Sequence, residues 1–276
     1  MNQKLIEEIA GLLYRAEQSQ SPCPPVRDLI REAAGDDELI AAAYAVQRRN
    51  TGRRLAAGGR LVGRKIGLTS LAVQKQLGVD APDFGMLFAD MAIGDAEEIP
   101  LSRTCQPKVE AEIALVLERD LAHERHTFAD IISATAYALP AIEVVGSRIA
   151  NWDIGLADTI ADNASSAGVV LGAARVAPAD LDPADIEAVL YQDGAEVARG
   201  NTSAVLGDPT TAVAWLARTV ASFGVKLEAG HVILPGSCTR AFDVRAGSDF
   251  RAEFTGLGSV ALSFTTPTSS TGGDHQ

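Results

Sequence analysis

The segment Lys108-Val109-Glu110-Ala111-Glu112-Ile113-Ala114-Leu115-Val116-Leu117 alternates as a β-strand does. At period two, Val109, Ala111, Ile113, Leu115 and Leu117 share one face, and Glu110 and Glu112 project from the other beside Ala114 and Val116. Neighbours on one face of a strand lie about 6.5–7 Å apart, so two carboxylates there repel unless a cation or a proton comes between them. A metal ion is the simplest remedy. The plainer alternative is that both glutamates face water from an edge strand, as Glu usually does. A third carboxylate, Glu143, stands in the otherwise apolar run Leu139-Pro140-Ala141-Ile142-Glu143-Val144-Val145-Gly146, where an unpaired charge is costly. If the three converge they form a hard, all-oxygen site suited to Mg²⁺ or Mn²⁺, with open positions for water or substrate. His123 and His126 offer no zinc alternative, because Glu124 and Arg125 between them break the H-E-x-x-H pattern and the stretch reads as a polar surface loop.

Other candidates are unspecific one at a time. Gly63-Arg64-Lys65-Ile66-Gly67-Leu68-Thr69 puts two basic residues in a strand-like run, with glycines that permit close backbone approach to a ligand. A lysine there reads equally well as solvated. Pro82-Asp83-Phe84-Gly85 has turn composition, and Ala161-Asp162-Asn163-Ala164-Ser165-Ser166-Ala167-Gly168 is a small polar loop entering a strand. Cys23, Cys105 and Cys238 are odd in number, far apart and in no metal spacing, so they read as free thiols.

The elements that must position these groups follow from periodicity. Leu5, Ile6, Ile9, Leu12 and Leu13 recur at helical spacing, as do Leu39, Ile40, Ala43, Tyr44 and Val46 before a stop at Gly58-Gly59. Ser21-Pro22-Cys23-Pro24-Pro25 between them is a connector. Strands are expected at Leu61–Leu68, Val109–Leu117, Ala141–Val145, Val169–Leu171 and Val232–Leu234. Helices are expected from Thr127 to Ala138 and from Pro209 to Ser222, the second capped by Asp208. Asp193-Gly194 is a type I′ hairpin signal. The expected fold is α+β: a mostly helical N-terminal region over 1–60, a β-rich body over 61–264 and a flexible tail over 265–276.

Composition limits the partners. The 276 residues are 47% apolar, and 36 acidic against 24 basic residues give a net charge of −12, a field that repels phosphate backbones and anionic lipid. No apolar run approaches the roughly 18 residues that span a bilayer, and the first residues carry acids where a signal peptide is apolar. Neither nucleic acid nor membrane is expected as a partner, and a cytoplasmic location is.

Five segments, taken in order and at their spacing, resemble one family: Gly63 to Thr69, Pro82 to Gly85, Lys108 to Ile113, Ile142-Glu143-Val144-Val145-Gly146-Ser147-Arg148, and Ala161 to Ser166. From about Leu5 to Phe264 the chain resembles the 2-oxopent-4-enoate (2-hydroxypenta-2,4-dienoate) hydratases of the fumarylacetoacetate hydrolase superfamily. The resemblance implies a mixed β-sandwich or roll core and a homo-oligomer built from pentamers or trimers, with association with other enzymes of the pathway. It implies Mg²⁺ or Mn²⁺ on Glu110, Glu112 and Glu143, proton handling by Lys65 and Asp83, and a substrate-side loop carrying Asn163 and Ser165. The implied activity is metal-dependent hydration of a 2-hydroxy-2,4-dienoate in meta-cleavage degradation of aromatic or steroid rings. The rival is the sister 2-oxo-3-hexenedioate (4-oxalocrotonate) decarboxylase, which shares the carboxylate triad; Asp83 favours hydration. A carbon–carbon hydrolase would want a histidine near Glu110, and a catalytically silent subunit would have no need of Lys65 and all three glutamates. The loop Leu234-Pro235-Gly236-Ser237-Cys238-Thr239-Arg240 departs from the family's more apolar pattern, and Arg240 either suits an acidic substrate tail or faces solvent.

Overall fold

The structure, a computed structural model, describes residues 1–71, 74–75, 79 and 81–265. Apart from Thr265, the expected tail lies outside the described residues. Helix α1 (Gln3–Ser19) starts at Asn2, whose side chain accepts from the backbone N–H groups of Lys4 and Leu5, and buries Ile6, Ile9, Ala10, Leu13 and Ala16. The proline connector leads to α2 (Arg27–Ala34), and α3 (Leu39–Ala56) follows. Helix α2 is absent from the sequence reading because its eight residues bury only Ile30 and Ala33, too few to show a period.

The body contains strands β1 (Leu61–Gly67), β2 (Asp83–Phe88), β3 (Ala92–Ile93), β4 (Glu97–Pro100) and β5 (Lys108–Leu117). Then come α4 (Phe128–Ala134), β6 (Thr135–Val145), α5 (Leu156–Ala161), β7 (Ser166–Leu171), β8 (Glu187–Gln192) and β9 (Ala195–Asn201). Helix α6 (Pro209–Ala221), β10 (Val232–Leu234), β11 (Phe242–Asp243), β12 (Asp249–Phe254) and β13 (Gly258–Thr265) complete it. One mixed sheet runs β2-β1-β10-β5-β6-β7-β3 with β11 also on β5, and the second runs β4-β13-β12-β8-β9. The second sheet packs on β5, β6 and β7, and Phe250, Phe264 and Leu262 fill the space between with the odd-numbered residues of β5.

Thr127 caps α4 as expected, but the helix stops at Ala134 instead of Ala138. The next residues, Thr135 to Val145, pair with β5 along its whole length, and this long-range ladder overrides the helical continuation. Asp193 and Gly194 have φ of 53° and 79° at the tip of the β8–β9 hairpin, the backbone that a type I′ turn demands. Helix α6 keeps Asp208 as cap and Pro209 at its start. Among the described residues no helix is long and apolar enough to cross a membrane.

Candidate active site

Glu110 and Glu143 are directly opposite in the antiparallel ladder of β5 and β6, with Glu112 two residues along, opposite Ala141. Register therefore puts all three on one sheet face, and one carboxylate oxygen from each lies within 4.8 Å of the other two. Glu112 and Glu143 are buried and Glu110 half-buried, so the edge-strand alternative does not hold: β5 is central. Glu143 is fully buried with no donor on Oε2 and only the Lys65 ammonium close to Oε1, a deficit for a buried carboxylate. Glu112 has one donor, the backbone N–H of Gly236 at 3.1 Å. Burial pushes the Glu143 carboxyl up to about 7 despite the neighbouring Lys65, and burial together with Glu143 and Glu110 pushes Glu112 well above the usual carboxylate range. Glu110 is raised by burial too. An oxygen-only trio that resists ionisation until a cation neutralises it is the donor set a hard divalent ion requires, so the residues fit such an ion.

Lys65 reaches the same face from β1, two strands from β5, and its Nζ lies 3.3 Å from Glu143 Oε1. It also donates to the carbonyl of Ala164 at 3.0 Å. Burial alone would lower the Lys65 pKa, but Glu143, Asp83, Glu110 and Glu112 together hold it above the ordinary lysine value, so Lys65 is a fixed ammonium. Arg64 turns to the opposite face and is buried; burial lowers it to about 10.

Asp83 pairs with Gly67 across β2 and β1, on the diagonal from Lys65, which pairs with Gly85. Two glycines make this packing feasible. A Cβ on Gly67 would lie 2.2 Å from Asp83 Oδ1, and one on Gly85 would lie 2.2 Å from the carbonyl oxygen of Asn163. Asp83 is 1% exposed, accepts from Thr159 Oγ1 at 3.1 Å, and has its pKa raised by burial against the opposing pull of Lys65. It is therefore a candidate for moving a proton.

Asn163 spends its side chain on the backbone of Met86, accepting from the N–H at 2.7 Å and donating to the C=O at 3.0 Å, which leaves its amide oxygen and nitrogen occupied. Ser165 is buried with its Oγ 3.5 Å from Thr159 Oγ1. Thr159, the Ala164 carbonyl and the Gly236 N–H were not among the residues that sequence reasoning singled out. Two of them act through the backbone, whose contacts no residue type announces, and Thr159 carries no pattern in sequence. Arg240 is exposed and stacks on the Phe242 ring, 4.3 Å from guanidinium carbon to centroid. His123 is exposed and His126 half-buried, and all three cysteines are free.

Residues 59–265 match the model of the fumarylacetoacetate (FAA) hydrolase C-terminal family. The chain is 54% identical over 260 residues to a 2-keto-4-pentenoate hydratase of Burkholderia vietnamiensis, covering 94% of this chain and 97% of that one. It is 53% identical over 259 residues to the enzyme of the same name from Paraburkholderia phymatum, with the same coverage. A solved 4-oxalocrotonate decarboxylase from Pseudomonas putida G7, complexed with magnesium and adipate, superposes with a TM-score of 0.90 at 32% identity, over 96% of this chain and 98% of that one. By sequence, by fold and by the converging carboxylates, the chain belongs to the fumarylacetoacetate hydrolase family, in the branch that holds these 2-keto-4-pentenoate hydratases.

Proposed function

We propose that this protein is a hydro-lyase that adds water to 2-hydroxypenta-2,4-dienoate, the enol of 2-oxopent-4-enoate (2-keto-4-pentenoate), to give 4-hydroxy-2-oxopentanoate in the degradation of aromatic rings. The observation that carries the reading is the shared buried face of Glu110, Glu112 and Glu143 with a fixed ammonium, Lys65, and a carboxyl of raised pKa, Asp83. The glutamates would hold Mg²⁺ or Mn²⁺, which supplies a Lewis acid for the carboxylate and C2 oxygen of a 2-hydroxy or 2-oxo acid. Lys65, held protonated by four carboxylates, steadies negative charge on the C2 oxygen. Loss of the enol proton and protonation at C5 give the α,β-unsaturated ketone. Asp83 then positions a water and takes its proton as oxygen bonds to C4, while the C3–C4 π electrons move toward the C2 oxygen. Protonation at C3 restores the ketone and completes the addition. Ser165 borders the substrate, and Asn163 serves it by holding the turn beside β2. Assembly into a homo-oligomer belongs to the same proposal, and sedimentation velocity checks it.

Ultraviolet absorbance of freshly generated 2-hydroxypenta-2,4-dienoate tests the reading. Loss of the dienol band with Mg²⁺ or Mn²⁺, its persistence in chelator, and a product heavier by one water are expected. Loss of carbon dioxide from 2-oxo-3-hexenedioate, without hydration of the dienoate, would replace this reading with the decarboxylase; the higher identity to hydratases and the acid at position 83 favour hydration.

A further inference from the structure

Asn163, Ala164 and Ser165 follow one another with φ of 56°, 50° and 55°. Three consecutive non-glycine residues in the left-handed region are held at about 1 kcal/mol or more each, and such a turn persists only where its surroundings over-determine it. Arg148, buried, brackets it. Its Nη2 donates to the carbonyl of Asp162 at 2.5 Å and its Nη1 to the carbonyl of Ser166 at 3.1 Å, the residues immediately before and after the turn. Its Nε and backbone N–H donate to the two carboxylate oxygens of Asp162, at 2.5 and 2.9 Å. The proline connector fixes Arg148 in turn, through the Cys23 N–H on its carbonyl at 2.8 Å. At the apex of the bracketed turn is Ala164, whose carbonyl accepts from Lys65.

We propose that Arg148 and Asp162 are positioning residues: the guanidinium staples both ends of the 163–165 turn, and the turn places the Lys65 ammonium against Glu143. Neither touches the triad or Asp83. The planar fork of arginine spans two carbonyls and a carboxylate at once, which the single ammonium of a lysine cannot do. The kinetic part of the test rests on the hydratase reading; the structural part does not.

Arg148→Lys and Asp162→Asn are made alone and in a Lys65→Gln background. We expect kcat to fall tenfold or more, a larger change than any in KM, with calorimetric Mn²⁺ affinity within twofold. Amide exchange in peptides covering 162–166 quickens, and Lys65 becomes open to acetic anhydride, read by peptide mass. In the Lys65→Gln background the same substitutions slow the residual turnover less than twofold, because what they position is already gone. Equal losses in both backgrounds, or an unchanged kcat with a loosened turn, overturn the proposal. If both variants melt at the assay temperature, Asn163→Ala, which frees the turn's anchor on Met86, must give the same signature in weaker form, and its absence counts against us. A wild-type protein that hydrates nothing removes the hydratase reading, while exchange and acylation still decide whether Arg148 sets Lys65.

Discussion

Asp83 and Lys65 sit side by side under opposite pressures: burial favours the neutral carboxyl, and four carboxylates favour the charged amine. Replacing Asp83 by Asn keeps its volume and removes its ability to take a proton, so dienoate turnover should fall by about 10²–10⁴-fold, the usual worth of a positioned acid–base group. Calorimetric Mn²⁺ affinity should stay within a few-fold, and an unchanged rate would remove Asp83 from the chemistry. The triad gives a separate expectation for the metal-free protein. Glu143, raised to about 7 from an ordinary value of 4.5, is protonated in both folded and unfolded chains at low pH. As pH rises through that window the unfolded chain releases its proton first, so stability is lost between those two values and stays lost above them. Glu112 acts in the same direction. Urea melts of chelator-treated protein should show this decline, Glu143→Gln should flatten it, and metal affinity should rise with pH over the same interval.

The strands that carry these groups were only partly legible in the sequence. The alternation of Lys108 to Leu117 gave both the strand and the shared face of Glu110 and Glu112, and the isolated charge in the 139–146 run marked Glu143. Nothing local says that β5 and β6 are neighbours, or that their register sets Glu110 opposite Glu143; that is a tertiary choice, and the same pairing turned the expected end of α4 into strand. Glycine roles were legible as permissiveness but not as contacts. Gly67 is where the difference matters, since a methyl there would meet Asp83 Oδ1 while the strand backbone has no such clash. Gly67→Ala should therefore displace the carboxyl and reduce turnover at least tenfold with the circular dichroism spectrum retained; a fully active variant would show that the close approach has no catalytic consequence.

For the molecule as a whole, the helical N-terminal region is wired into the body. The Cys23 backbone bridges to Ile149, Asp158 of α5 accepts from the N–H groups of Val26 and Arg27, and Gln47 of α3 donates to the carbonyls of Phe84 and Ile160. Heat should therefore unfold residues 1–60 together with the catalytic strands, in one transition. A divalent ion that binds only the native triad at a hundred times its dissociation constant adds about 2.7 kcal/mol, and for a chain of this size the melting temperature should rise by roughly 5 °C. Calorimetry with Mg²⁺ or Mn²⁺ against chelator reads this directly; no shift would mean that the trio does not hold the ion. The β5–β6 ladder carries one more implication, for how the chain finds its shape. Sliding one strand by a single residue would turn Glu143 to the other side of the sheet from Glu110 and Glu112 and relieve its repulsion with them, so in water alone the correct alignment is electrically penalised relative to its nearest error. A cation held by the trio would reverse that ranking, since only the native alignment offers it three carboxylates, and would so favour the correct strand pairing during folding, before any substrate has arrived.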